Sequence, residues 1–196
     1  MFTLRRAIFF VAFVFIVGGG YAVHHYVSGQ GVASQSFVEA RAEGGRLAQE
    51  IVDTSRALSD NLQKVNEYDK AGDYAKALEL TTELLKQSQA IRDKGVALSS
   101  QLGTMTTGLA AVKSVDAQRA ALESISSRLA LVSRLINYSD DLVRLLYALQ
   151  DRFSGKKPAQ DVATIIDQLN SEANAINNFN NSAAEAMNRF DDILKK

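Results

Sequence analysis

The sequence has no cysteine, no tryptophan, one proline and two histidines in 196 residues. Without cysteine there is no disulfide framework, thiolate metal site, cysteine nucleophile or redox dithiol. His24 and His25 are adjacent and are too few for a structural zinc site. No histidine occurs after residue 25, so the rest of the chain lacks the Glu-x-x-His pairs of a di-metal bundle and axial ligands for haem. A phosphate-binding loop, a dinucleotide fingerprint, an HExxH helix and a G-x-S-x-G elbow are also missing. The expectation is therefore no catalytic residues, no cofactor and no metal, in a protein that is not an enzyme.

An excess of charge of one sign is lacking too, because 22 Lys and Arg balance 22 Asp and Glu. The balance is uneven along the chain. Every acid lies beyond Val38, while Arg5 and Arg6 precede it, so the part after residue 30 carries a net charge of −2. Such a mixed surface does not provide the clustered basic face that nucleic acid requires.

The first distinctive feature that is present is an uncharged apolar run, Ala7 to Val23, preceded by Arg5-Arg6. With His24, His25, Tyr26 and Val27 it approaches the roughly 20 residues of a spanning helix. Positive charge ahead of such a run keeps the N-terminus inside and exports the residues after the run. Residues 1–30 are therefore read as a signal-anchor or transmembrane segment, single-pass in the cytoplasmic membrane, with the C-terminal domain periplasmic or extracellular. A cleaved signal peptide is the alternative, since Gly18-Gly19-Gly20 breaks the run and Gly20-Tyr21-Ala22 has the small-x-small form of a cleavage site. His24-His25 is read as a polar pair at the membrane interface beside Tyr26.

Beyond residue 30 no convincing strand alternation occurs, and apolar residues recur in steps of three and four. One seam is Leu47, Ile51, Thr54, Leu58, Leu62 and Val65. The next is Leu84, Ser88, Ile91, Gly95, Leu98, Leu102, Met105, Leu109 and Val112. A third runs Val115, Leu122, Ile125, Leu129, Val132, Ile136, Ser139, Val143, Leu146 and Phe153, and a fourth Val162, Ile166, Leu169, Ala173, Ile176, Ala183, Met187, Phe190 and Leu194. Heptad seams of this kind belong to left-handed helix packing. Ala71-Gly72-Asp73 offers a terminating Gly and a capping Asp, and Ser154-Gly155-Lys156-Lys157-Pro158 a Gly followed by a Pro at the next helix start. Continuing the second seam past Val112 would bury Asp116, Arg119 and Glu123, so a tight turn is placed at 112–116 with Ser114 as the cap. The softest helical stretch is expected at Gly103 to Gly108.

The predicted fold is all-α: an N-terminal transmembrane helix followed by an up-down-up-down four-helix bundle of long coiled-coil-like helices. Residues 31–45 form a juxtamembrane linker helix with a hinge or close-packing site at Gly44-Gly45, and residues 46–196 the exported bundle. Ser88, Gly95 and Ser139 mark close helix approach or a small cavity. Asp140-Asp141 and Asp191-Asp192 are read as solvated faces, because neighbours on a helix point about 100° apart and do not form an acid–base pair. Tyr138, Tyr147, Phe153, Phe179 and Phe190 recur at helical spacing and are read as core. The asparagines of the last helix, from Asn170 to Asn188, are read as a neutral solvated surface or a polar recognition face.

Residues Asn66 to Leu80, with Gly72, Tyr74, Ala77 and Leu78, resemble the turn inside a tetratricopeptide repeat. The resemblance covers about fifteen residues with no second copy, whereas a stable stack needs three or more repeats. It implies a helix hairpin and no function.

Topology then places the Gly72 turn and the Gly155-Lys156-Lys157-Pro158 turn together at the end distant from the membrane, and Lys113, Lys195 and Lys196 at the near end. The functional expectation is a membrane-anchored, non-enzymatic interaction or scaffold module of the cell envelope, with a protein partner contacted through Tyr68, Asp69, Lys70, Asp73, Lys156 and Lys157. The alternative is an extracytoplasmic small-molecule sensor or carrier with its pocket near Ser88, Gly95 and Ser139. Self-association is left open, because heptad seams can also be satisfied between chains.

Overall fold

Three local stop signals cut the chain into helices, and a computed structural model shows where each acts. The structure describes residues 33–195. They form α1 (Gln35–Ala71), α2 (Tyr74–Gly108), α3 (Val115–Phe153) and α4 (Val162–Leu194), with a 3-10 turn at Leu109–Ala111. At 1.5 Å per residue these helices run about 50–60 Å. The expected membrane segment lies outside the described residues, and none of the described helices is long and apolar enough to cross a membrane.

Gly72 ends α1 in the left-handed region (φ 73°), and the Asp73 amide donates back to the Tyr68 carbonyl at 3.0 Å. The Asp73 carboxylate then accepts the Lys76 amide and opens α2. Gly155 repeats the device after α3 (φ 73°), with the Lys156 amide on the Asp151 carbonyl at 2.8 Å. The phase shift after Val112 is a real break, because Ser114 Oγ accepts the Ala117 amide at 3.2 Å and starts α3. Gln118 Nε2 donates to the Val112 carbonyl at 2.6 Å, which satisfies an acceptor left open at that turn.

Long-range contacts fix the directions. Ser34, the cap of α1, donates from its hydroxyl to the Gly108 carbonyl at the end of α2 (3.0 Å). Tyr74 at the start of α2 stacks on Phe153 at the end of α3, with ring centroids 6.0 Å apart. Ser124 Oγ of α3 donates to the Ala183 carbonyl of α4 at 2.8 Å. Phe37 packs on Phe190 at 5.4 Å, and Arg41 makes a two-pronged pair with Asp191 (2.7 Å each), so the end of α4 returns to the start of α1. Successive helices are therefore antiparallel, in the up-down-up-down order.

All nine expected inward positions of the second seam, Leu84 to Val112, are buried. Ser88 Oγ donates to the Ser139 carbonyl (3.1 Å) and Ser139 Oγ to the Ser88 carbonyl (2.8 Å). Each hydroxyl has one hydrogen, so the 3.0 Å between the two oxygens is contact only. Beside this pair a Cβ on Gly95 would meet Leu135 Cδ2 at 3.3 Å. These small residues serve close helix approach.

Four expectations are corrected. Helix α1 runs unbroken through Gly44-Gly45, because Gly44 lies against α2, where a Cβ would meet Leu98 Cδ1 at 3.4 Å. No separate linker helix forms there. Pro158 does not begin α4, since Asp161 supplies the cap by accepting the Thr164 amide. In α3, Ile125, Val132, Ser139, Leu146 and Phe153 are buried as expected, but Val115, Leu122 and Leu129 point outward, and the buried face broadens to Ala117, Ala121, Ser124, Leu131, Leu135, Leu142, Leu145 and Leu149. Tyr147 is also exposed rather than core.

Gly108 is the tightest glycine. Its backbone is ordinary right-handed helix (φ −66°), yet a Cβ there would meet Ser34 Oγ at 2.7 Å and Phe37 Cβ at 2.8 Å. The glycine is needed for space, not for conformation. Gly108→Ala should cost about 1–3 kcal/mol in urea unfolding, the range for overpacking. Gly103, five residues earlier, has open space around its would-be Cβ, so Gly103→Ala should stabilise by up to about 1 kcal/mol through helix propensity. Equal effects of the two substitutions would refute the assignment.

Candidate functional site: a helical stripe and a lysine-bearing end

The outward residues of α3 form a pattern. Val115, Leu122 and Leu129 are spaced by seven and are 68%, 46% and 42% exposed. Ile136 and Val143 continue the interval and are half-buried, and Tyr147 flanks the stripe at 56% exposure. A seven-residue interval keeps side chains on one side of a helix that coils around a neighbour. Here the bundle core takes the other side of α3, through Leu131, Leu135, Leu142 and Leu145. The stripe is apolar, regular and uncovered by the described residues.

The two glycine turns meet at one end. Arg152 of α3 pairs with Asp69 of α1 at 3.0 Å, and the Asp69 side chain is only 9% exposed. The Asp73 carboxylate caps α2 and also pairs with Lys76 at 2.8 Å. The hydrogen bond from Lys76 holds the Asp73 carboxyl below its ordinary value, and Asp73 in turn raises Lys76. Lys76 Nζ sits 5.7 Å from the centre of the Tyr68 ring. Tyr68 itself is half-buried. Of the six expected contact residues, Tyr68, Asp69 and Asp73 are thus engaged in holding the end together. Lys70, Lys156 and Lys157 are exposed on the same end.

In both aspartate pairs the two side chains turn to different surroundings, as a 100° step along a helix requires. Asp140 pairs at the surface with Arg92 at 2.9 Å, whereas Asp141 is buried between α3 and α4 beside Arg144. Asp192 pairs with Lys195 at the surface, whereas Asp191 receives Arg41. The reading of Asp141 as solvated is therefore corrected, while Asp191 is half-buried, its side chain 28% exposed. The signal for Asp141 was in the sequence: Tyr138, Asp141 and Leu145 are spaced by three and four, so Asp141 belongs to the apolar face. The last helix keeps Asn174, Asn178, Asn181 and Asn188 in solvent.

Among the described residues no group of three or more metal-ligating side chains is placed to hold an ion. Comparison with protein-family models, with curated proteins and with solved structures returns no match.

Burial pushes the Asp141 carboxyl above its ordinary value of 3.8, and Glu172 and Asp140 act in the same direction, against the opposing effect of Arg144. A carboxyl whose folded pKa is raised favours the fold below its unfolded pKa and loses that contribution as pH rises through the folded value. Asp141→Asn should therefore be more stable than the wild type at pH 7. The gap should close as pH falls toward 3.8, followed by urea unfolding across that range. A gap independent of pH would show that Asp141 is not the titrating group.

Proposed function

We propose that this protein is a membrane-anchored, non-enzymatic helical module of the cell envelope that binds a partner through a helix face. The observation that carries the interaction reading is the exposed Val115, Leu122 and Leu129 stripe on α3. Leaving three large apolar side chains in water at heptad spacing gives up roughly 25 cal/mol for each square ångström that a partner helix could cover. The apolar run Ala7–Val23 with Arg5-Arg6 supports anchoring and export of the bundle. Lys70, Lys156 and Lys157 form a second, cationic contact region suited to acidic groups on the partner. The sensor or carrier alternative keeps less support, because Ser88, Ser139 and Gly95 are occupied in packing α2 on α3.

Two measurements test the proposal. Full-length protein should fractionate with membranes and be cleaved by protease added from outside, leaving a protected N-terminal fragment. Recovery only in the soluble fraction, with Ala22 as the last residue removed, would favour the cleaved form. A photo-crosslinker at Leu122 or Leu129 should trap a helical partner or a second copy, and one at Asp53 should not. Leu122→Gln with Leu129→Gln should abolish the adduct formed from a crosslinker at Val115, with a change in unfolding free energy of no more than about 1 kcal/mol, since both side chains are already exposed. Lys156→Glu with Lys157→Glu should weaken the same adduct several-fold without unfolding. An adduct that ignores both double substitutions would refute both contact regions.

A further inference from the structure

Read in reverse, the exposed side of α3 matches itself. The stripe Val115, Leu122, Leu129, Ile136 and Val143 has Leu129 at its centre, a Leu and an Ile seven residues to either side, and a Val at each end. The polar residues beside it are also symmetric about Leu129, with their charges inverted. Arg119 lies ten residues before Leu129 and Asp140 eleven after it, and Asp116 lies thirteen before and Arg144 fifteen after. Ser126 and Ser133 fall three before and four after. Asp116, Arg119, Ser126 and Ser133 are exposed. Asp140 and Arg144 hold partners on their own chain, Arg92 and Asp141, yet their side chains remain 48% and 47% exposed.

The neighbouring surface of α2 is bare of charge. No Asp, Glu, Lys or Arg occurs from Gly95 to Val112. Val96 follows Arg92 by one turn, and Arg92 reaches Asp140 of α3, so Val96 lies on the side of α2 that borders the stripe. It is 56% exposed. Gly103, two turns further along the same side, has no atom within 4 Å of a would-be Cβ. A helix laid on the stripe therefore meets a border of small and apolar residues, with no charge to strip of water.

We propose that the stripe is covered by a second copy of this chain, with the two α3 helices antiparallel about a two-fold axis near Leu129. This rests on the reading of the stripe as an interaction face and names what occupies it. The axis sets Leu122 against Ile136 of the second copy and Val115 against Val143. It brings Arg119 and Asp140 within one residue of the same level, and Asp116 and Arg144 within two, and the symmetry makes each contact twice. A parallel pair in register sets each of these charges against itself, and like charges face to face oppose binding. Stripe and border together measure about 40 Å by 15 Å on each copy. That is on the order of 1,200 Å2 for the pair, the lower end of the range for specific interfaces. The Ser34 entry points then lie at opposite ends of the pair, so anchored copies lie along one membrane or face each other from two.

The absence of cysteine makes the register directly testable. Full-length Ser126→Cys and Ser133→Cys proteins are mixed in neutral maltoside micelles and mildly oxidised, and the bridged products are identified by mass. About the proposed axis, positions 126 and 133 of opposite copies share a level. Each position lies roughly 10 Å from its own counterpart, beyond the reach of a disulfide. The mixed bridge should therefore form at least about tenfold faster than either self-bridge, or than the background bridge of Asp53→Cys. Arg119→Glu in both proteins should slow the mixed bridge at least about fivefold, because it sets Glu against Asp140 at two places. Self-bridges in excess of the mixed one, or a mixed bridge indifferent to Arg119→Glu, overturn the antiparallel pair. A photo-crosslinker at Val115, used in membranes, separates this inference from the reading it rests on. An adduct of two chains supports the second copy. An adduct with a different protein leaves the interaction face standing and overturns the second copy as its occupant. An adduct within one chain, to residues 1–32, overturns both, and so does the lack of any adduct.

Discussion

Each pair of consecutive helices meets where one of them has almost no side chain. Gly108 and Gly44 set the approach of α2 to α1, Ser88, Ser139 and Gly95 set that of α2 to α3, and Ser124 sets that of α3 to α4. At such points the partner's backbone or first side-chain carbon sits where a larger residue would have to be, so the register is fixed to within one turn. A slide of α2 by one turn would set Leu84 or Ile91 against Ser139 in place of Ser88, where a close-packed interior has no room for either. The serine contacts add direction. The hydroxyls of Ser88, Ser139 and Ser124 each donate to a carbonyl of the facing helix, which ties these three crossings by polar as well as packing contacts.

Fixed register decides the fate of the charged residues. A long helix surrounded by neighbours has too narrow a solvent face to carry all of its charges outside. Adjacent aspartates separate, one to water and one to the interface, because a step of one residue turns the side chain by about 100°. Asp191, half-buried, is balanced by Arg41, while the buried Asp141 is balanced only at its edge by Arg144, and its carboxyl is raised accordingly. Arg128 is half-buried between Ser124 and Leu131 along α3, with its Nε against the packed interior.

Periodicity made much of this legible from the sequence. The seam of α2 was readable residue by residue, since that helix buries a single stripe and its small members stand where a neighbour comes close. Gly72 and Asp73 declared the first turn, and the phase change at Val115 declared the second. In α3 the same reasoning failed at Leu122 and Leu129. That helix buries seventeen residues, a band too broad for one seam, and its apolar positions therefore offer two registers of similar quality. The core takes Leu131, Leu135 and Leu142 together with Ile125, Val132, Ser139, Leu146 and Phe153 of the expected seam, and leaves Val115, Leu122 and Leu129 facing out. Hydrophobic spacing alone could not rank them, because the ranking comes from the small polar residues. Among the expected contact residues, proximity at one end was readable from topology. The use of Asp69 and Asp73 as internal ties was not, because it depends on Arg152 and Lys76 reaching them.

The way the bundle closes bears on how a chain segment ahead of it would act. The ties named between α1 and α4 fall in the first two turns of α1, at Phe37 with Phe190 and Arg41 with Asp191. Ser34 lies in the same place and holds the end of α2 through the Gly108 carbonyl. The chain thus enters the bundle at a junction shared by α1, α2 and α4. At the far end α1 is tied instead to α3, through Asp69 and Arg152. A pull or a tilt applied ahead of Ser34 is borne first by the glycine contact and the aromatic pair, and passes to α2 and α4 before it reaches α3. The stripe at Val115, Leu122 and Leu129 starts close to that junction, three residues after Val112, and runs away from it along α3. A partner laid along the stripe would therefore brace the helix that the entry point braces least.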